Sequence, residues 1–300
     1  MTTDPHFIVN PAAAGGRAAR WWKYAWPVLN KRLTGATFTL SDRQHPLADR
    51  LAAAVSAGHT EIVGVGGDGT HHDLVNAAVD HALTSAFTYT PLPLGSGNDW
   101  CRTLRVPRHI LQWLEMLEKS TVIDHRVGKL TYGEGRERHF VNAAGLAYDA
   151  AVVRRCADSD YKHRLIYPVL TALHLPAFQP PRLTLDYNGT QVVGTFHTIN
   201  IGLGRYKGGG MELLPQASPT ADTLALTYAT GVPLHRIVTN SWRFYTGSIG
   251  RVEGVTTCHA RVISVSGPTG LEADGEYLGT TPVRAELIGQ RLRVRCGLRP

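Results

Sequence analysis

Three hundred residues, 43% hydrophobic and 18% charged, exclude a disordered chain and allow one large core or two modest ones. The formal net charge of +7 is diffuse: residues 1–129 hold 13 Lys/Arg against 11 Asp/Glu, and residues 130–300 hold 18 against 13. With no basic stripe or zinc-finger spacing, no apolar run of about 20 residues, no leader and no CxxC among four cysteines, the expectation is a cytoplasmic protein without nucleic acid as partner and without a transmembrane segment, touching a membrane only peripherally.

His6–Asn10 is a short apolar run ending at Pro11, and an Ala/Gly-rich turn follows. Arg17–Leu33 has helical spacing interrupted by Pro27. Ala36–Leu40 reads as a strand, Pro46–Ala57 as a helix stopped by Gly58, and Glu61–Val65 as a buried strand. A helix is predicted over His71–Leu83, a strand over Phe87–Leu92 and a helix over Ile110–Lys119. Strands alternating with helices indicate a largely parallel sheet. Beyond Asp124 the texture changes to strands: Arg126–Leu130, His139–Asn142, Leu183–Tyr187, Gln191–Ile201, Thr223–Ala229, Thr257–Val265, Pro282–Glu286 and Arg291–Cys296. Ala150–Arg155, Leu165–Leu173 and Leu234–Thr246 read as helices. The fold class is therefore an α/β domain over residues 1–125, with a parallel-sheet core, and a mostly antiparallel β domain over residues 126–300.

Gly66-Gly67-Asp68-Gly69-Thr70 follows a strand and opens a helix. Glycines let the backbone approach a ligand where a Cβ would clash, and amides at such a turn attract phosphate. The Asp68 carboxylate would repel that phosphate unless a cation or water stands between them. Asn10-Pro11 with Gly15-Gly16, and Gly95-Ser96-Gly97-Asn98-Asp99, also follow strands of the inferred sheet. Turns after parallel strands gather at one sheet edge, where ligands bind. Neither GxGxxG nor GxxxxGK[ST] is present, so a three-loop nucleotide site remains.

These motifs, with Asp124, Phe140-Val141-Asn142, Gly145, Gly208-Gly209-Gly210, Asp222 and Asp274-Gly275-Glu276 in that order, resemble the diacylglycerol kinase catalytic domain family, which includes bacterial lipid kinases and is related to sphingosine kinases and NAD kinases. The resemblance implies an ATP-dependent kinase with a lipid hydroxyl as acceptor, ATP and Mg2+ as cofactors and a β-sandwich-like second domain. It implies ATP contacts from Asn10, Pro11, Gly15, Gly16, Arg17, Gly66, Gly67, Asp68, Gly69, Thr70, Gly95, Ser96, Gly97 and Asn98. Glu276 matches the general base. Asp68 and Asp124 match acids tied to the catalytic magnesium and its water shell. Asp222 matches a ligand of a second, structural metal, although Thr223 replaces its partner glycine. Asp99 matches an aspartate that orders the site loops, with Asp274 beside the base as a structural residue. The lipid would be met at a membrane surface, and a homodimer is compatible with the pattern.

On the residues alone, Asp274-Gly275 is an ordinary hairpin pair, Glu276 a surface residue and Glu272 a nearby competitor for the base. Arg17 and Arg102 are candidate phosphate contacts and equally solvent-facing residues. His71 is placed near phosphate, and Trp21, Trp22, Trp26 and Trp242 are read as packing residues. Tyr167, Leu170, Leu173 and Leu175 suit either a core helix or an acyl groove. A soluble-substrate kinase related to NAD kinase and a catalytically silent nucleotide-binding regulator stand as alternatives.

Overall fold

The structure, a computed structural model, describes residues 4–157 and 175–298. The helix expected over Leu165–Leu173, with Tyr167 and Leu170, lies outside the described residues. The chain divides into two units, Met1–His125 with Gln290–Pro300, and Arg126–Gly289. The first domain expected over 1–125 thus gains the chain's last segment, which the sequence reading had assigned to the domain at 126–300.

In the first unit β1 (His6–Val9), β2 (Thr37–Leu40), β3 (Glu61–Gly66) and β4 (Thr88–Pro93) are parallel in the order β2-β1-β3-β4. Arg293 and Val294, late in β15 (Val283–Cys296), pair in parallel with Thr88 and Tyr89 and extend this sheet past β4. That pairing is why the C-terminal segment belongs here. Pro282–Glu286 and Arg291–Cys296, expected as two strands, are the ends of this single one. Leu292, Val294 and Cys296 point inward, and Arg295 reaches Glu61 at 2.9 Å.

Helix α1 (Arg17–Arg32) buries Ala18, Trp22, Ala25 and Leu29, a single stripe at helical spacing. It runs through Pro27 where an interruption was expected. Pro27 is on the exposed face, where the carbonyl it deprives of a partner meets water. Helix α2 (Leu47–Ser56) precedes β3, and α3 (Asp68–Asp80) begins three residues before the expected start. The short α4 (Asp99–Thr103) is an addition to the expected elements, and α5 (Ile110–Lys119) has the predicted bounds. Trp113 of α5 is fully buried and donates to the Pro91 carbonyl at 2.9 Å, fastening α5 to β4.

The second unit is β-rich, as expected. Strand β5 (Thr121–Tyr132) enters it from the first unit and pairs antiparallel with β6 (Arg136–Phe140). Strand β7 (Ala143–Ala147) leads into α6 (Tyr148–Ala157). Strands β8 (Arg182–Tyr187), β9 (Thr190–Gly202) and β10 (Leu224–Thr230) form a meander. After α7 (Leu234–Thr239) come β11 (Val255–Ala260), β12 (Val262–Ser266), β13 (Gly270–Ala273) and β14 (Glu276–Thr280). The first half of β9 pairs with β8, and β8 with β12. Its second half pairs with β7 and β10, and β7 in turn with β13. The long strand therefore serves two sheets. Alternate residues such as Leu183 and Leu185, Ile199 and Ile201, Leu224 and Leu226, Ile263 and Val265 fill the core between them. The strand expected over Thr257–Val265 is two strands, because β11 pairs with β10 and β12 with β8 and β15.

Candidate active site

At the end of β1, the Asn10 backbone amide bonds the Val65 carbonyl at 3.0 Å and its side-chain amide donates to Thr70 Oγ1 at 2.9 Å. The first turn is thereby tied to the one after β3. Pro11 follows, and Gly15 and Gly16 take positive φ in an open turn with nothing within 4 Å of a Cβ at either. Arg17 donates to the Ala14 carbonyl at 3.0 Å from an exposed position.

Gly66 closes β3 and Gly67 caps α3, so Asp68, Gly69 and Thr70 form the first helical turn. Within the helix the Gly69 and Thr70 amides have no carbonyl one turn back, and the dipole favours anions there. The second glycine turn lies directly against the first. A Cβ on Gly67 would stand 3.0 Å from Gly95 Cα, and one on Gly95 would stand 2.6 Å from Gly67 Cα. Only two glycines allow that approach.

Asn98 locks the pair. In the left-handed conformation at φ 55°, it accepts the Gly95 N–H at 2.9 Å and donates to the Gly95 carbonyl at 2.7 Å. Its own N–H donates to Asp68 Oδ2 at 2.7 Å. Arg108 adds a bond to the Gly95 carbonyl at 2.7 Å. Ser96 is exposed, and a Cβ at Gly97 would come within 2.8 Å of Asp68 Oδ2. Asp99 is buried at the start of α4 with Arg102 Nε 3.9 Å away.

Beneath these turns lies an aromatic layer. His71, placed near phosphate from the sequence, is buried and meets the Tyr89 hydroxyl at 2.7 Å; burial pushes its pKa down to about 3. Trp100 stacks on Tyr89 and donates to His125 Nε2 at 3.0 Å. Asp124, the residue before His125, is exposed on β5.

In the second unit Asp274 and Gly275 take positive φ at the turn between β13 and β14. The Asp274 carboxylate accepts the N–H groups of Val141, Asn142 and Ala143 at 3.2, 3.1 and 2.9 Å, and so anchors this turn to the start of β7. Glu276, the first residue of β14, is part-exposed and paired with Arg138 at 2.9 Å.

Glu272, its competitor, is fully buried. One oxygen contacts Lys207 Nζ, and the other accepts the Gly275 N–H at 3.1 Å. Burial raises its pKa to about 7, against the opposing pull of Lys207. Burial also works against the Lys207 charge, but Asp149 at 3.6 Å and Glu272 together outweigh it and hold that pKa above its ordinary value. Lys207 further donates to Asn200 Oδ1 at 2.9 Å. Gly145 is required beside this cluster, since a Cβ there would collide with Lys207 and Glu272 and stand 2.8 Å from Asp149 Cβ. The sequence reading singled out neither Lys207 nor Asp149. A lysine in a glycine-rich turn carries no spacing signal, and its partners lie on separate elements.

Asp222 is exposed, with Arg126 Nε 3.5 Å from its carboxylate. A cation already stands beside it, and among the described residues no three His, Cys, Asp or Glu side chains converge as a metal cage. One or two carboxylates are the usual protein share for a Mg2+ that arrives on phosphate with its own waters, and Asp68 fits that role. Also among the described residues, no helix is long and apolar enough to cross a membrane.

The profile described as "Diacylglycerol kinase catalytic domain" matches residues 4–130, and that described as "YegS C-terminal NAD kinase beta sandwich-like domain" matches residues 142–296. A curated diacylglycerol kinase of Mycobacterium tuberculosis is 23% identical over 98% of this chain and 94% of its own length. One from Bacillus subtilis is 27% identical over 74% and 72%. The crystal structure of a diacylglycerol kinase from Bacillus anthracis str. Sterne matches with a TM-score of 0.69 at 20% identity, over 97% of this chain and 96% of that one, a likeness of fold.

Proposed function

The chain belongs to the diacylglycerol kinase catalytic domain family, and from that premise we propose that it transfers the γ-phosphate of ATP to the hydroxyl of a lipid, a diacylglycerol-like alcohol fitting best. The observation that carries this reading is the backbone contact of Gly67 with Gly95, locked by Asn98 and Asp68. It holds the start of α3 open to phosphate oxygens with no side chain in the way.

Asn10, Thr70 and the two glycine turns bind and orient the nucleotide. Magnesium, when bound, neutralises charge that builds on the phosphoryl oxygens. Asp68 would help to hold it, with Asp124 as the second acid. Glu276 takes the proton of the acceptor hydroxyl as that oxygen bonds the γ-phosphorus and the bond to the leaving oxygen of ADP breaks. Arg138 orients the Glu276 carboxylate, while Glu272, buried against Lys207, has no access to a substrate.

The lipid acceptor is supported by a cleft of about 830 Å³, open solvent at its mouth included, inside the second unit. Val152, Leu213, Val232, Ile237 and Phe244 line its apolar walls, with Asp149 and Thr198 among its few polar groups. Such a lining suits an apolar chain beside a polar head.

The test is transfer of ³²P from labelled ATP-Mg into a total lipid extract, separated by chromatography, with Glu276→Gln protein as control. A labelled lipid absent from the control supports the assignment and identifies the acceptor. Label in a water-soluble product, with none in lipid, would replace the lipid acceptor with a soluble one.

A further inference from the structure

Ten large hydrophobic side chains are strongly exposed among the described residues, and four of them fall within residues 234–245: Leu234 at 36%, Val238 at 57%, Trp242 at 54% and Tyr245 at 61%. They recur at intervals of four, four and three residues through α7 and the 3-10 turn Ser241–Tyr245 that follows it, which is the spacing of a single helical face. Trp242, expected as a packing residue, is more than half exposed, with the Arg243 guanidinium 4.4 Å from its ring centre.

The opposite side of the same segment is employed. Ile237, Asn240 and Phe244 line the apolar cleft of the second unit, so this stretch is a wall of the cleft on one side and bare on the other. Its charge is one-sided too. Residues 231–252 contain Arg236, Arg243 and Arg251 and no Asp or Glu, and the flanking Glu253 pairs with Arg236 at 2.6 Å.

We propose that Leu234, Val238, Trp242 and Tyr245 form a docking face for an anionic phospholipid bilayer, holding the wall of the cleft at the membrane surface. The proposal rests on the lipid-kinase reading for its purpose, though not for its chemistry. Trp and Tyr favour the bilayer interface, where an apolar ring and a polar edge are both accommodated. Arg243 and Arg251 beside them are drawn to anionic headgroups, while the one flanking carboxylate, Glu253, is held by Arg236. A protein partner of equal fit would need acidic groups around an apolar socket; a second copy of this same basic face would meet like charge. Position decides between them: a segment that walls an apolar cleft gains from touching lipid.

The experiment is sedimentation of the full chain with vesicles of phosphatidylcholine alone or with 30 mole per cent phosphatidylglycerol, a probe composition of about the anionic content needed for a clear surface potential. Wild type is expected to bind the anionic vesicles, more weakly as salt rises. Trp242→Ala with Tyr245→Ala should lower the partition coefficient at least tenfold, and Arg243→Gln about fivefold, the loss of one interfacial charge. Brominated phosphatidylcholine should quench wild-type emission more than that of Trp242→Phe.

Unchanged vesicle binding by the double variant overturns the proposal, as does a wild type that binds neither vesicle. A concentration-dependent dimer abolished by the same substitutions would reassign the face to self-association. Turnover on short-chain diacylglycerol in detergent micelles separates the two readings. If wild type docks but phosphorylates no lipid in either form, the kinase reading fails and the docking face stands. If lipid is phosphorylated equally by wild type and double variant on vesicles, only the docking face fails.

Discussion

Gly95 approaches Gly67 backbone to backbone, and Asp68 accepts the Asn98 N–H at 2.7 Å. A methyl group on Gly95 would meet the opposing backbone 2.6 Å away, and backbone cannot move aside as a flexible side chain can. Gly95→Ala is therefore expected to weaken ATP binding at least tenfold, measured by calorimetric titration. Asp68→Ala should lower turnover by a factor of at least about 100 while costing about 1.5–3 kcal/mol of stability, the worth of a charge-assisted bond to the Asn98 amide. Near-wild-type turnover in that variant would remove Asp68 from the mechanism. His6 offers a separate handle. Its ring meets Thr37 and Thr39 and stacks on His59 at 4.5 Å, and burial, then His59, depress its pKa to about 4. The folded state thus binds fewer protons than the unfolded one between pH 6.5 and 4. The stabilisation is complete above pH 6.5 and is lost as pH falls through that window. In urea titrations the advantage of wild type over His6→Gln should shrink between pH 7 and pH 4.5; a constant difference would show that His6 does not titrate on unfolding.

At the scale of elements, the chain's own pattern disclosed its helices and parallel strands well, because a stripe such as Ala18, Trp22, Ala25 and Leu29 is written in local spacing. Local spacing is silent about partners far along the chain. Thr121–Tyr132 is one strand whose first half carries no alternation strong enough to mark it. The glycine turns were legible because glycine and polar residues cluster in them. The Lys207 cluster was not, since it draws Asp149 from α6, Asn200 from β9 and Glu272 from β13, and only their register brings them together. That cluster fixes the β13–β14 turn through the Glu272 bond to Gly275. Lys207→Met would leave two buried acids without their cation and should cost about 3–5 kcal/mol. Adding Glu272→Gln to Lys207→Met removes one of those charges and should restore part of the loss; a double variant no more stable than the single one would show that the charges are not what binds the elements together.

At the scale of the molecule, two cores carry different reporters. Five of the six tryptophans, Trp21, Trp22, Trp26, Trp100 and Trp113, lie in the first unit, with only Trp242 in the second. Tryptophan emission therefore follows the first unit, and far-ultraviolet dichroism weighs both. ATP-Mg at about 100 times its dissociation constant should stabilise the unit that binds it by about 2.7 kcal/mol. The emission midpoint is expected to rise with ATP. A lagging dichroism midpoint would mark the units as separately unfolding, and an equal rise in both would mark them as one cooperative whole. An emission midpoint indifferent to ATP would remove the nucleotide site from this unit.

The crossing of β15 back into the first unit has a temporal meaning. Its pairing residues Arg293 and Val294 are translated 293 − 125 = 168 residues after His125, the last residue of the unit's long segment. At roughly 5–20 residues per second, β4 waits about 8–34 seconds on the ribosome with one hydrogen-bonding edge uncovered. An open edge beside a finished sheet invites a stray strand. The nascent chain is most vulnerable to mispairing during that interval, and a chaperone that shields strand edges would act before the last strand emerges.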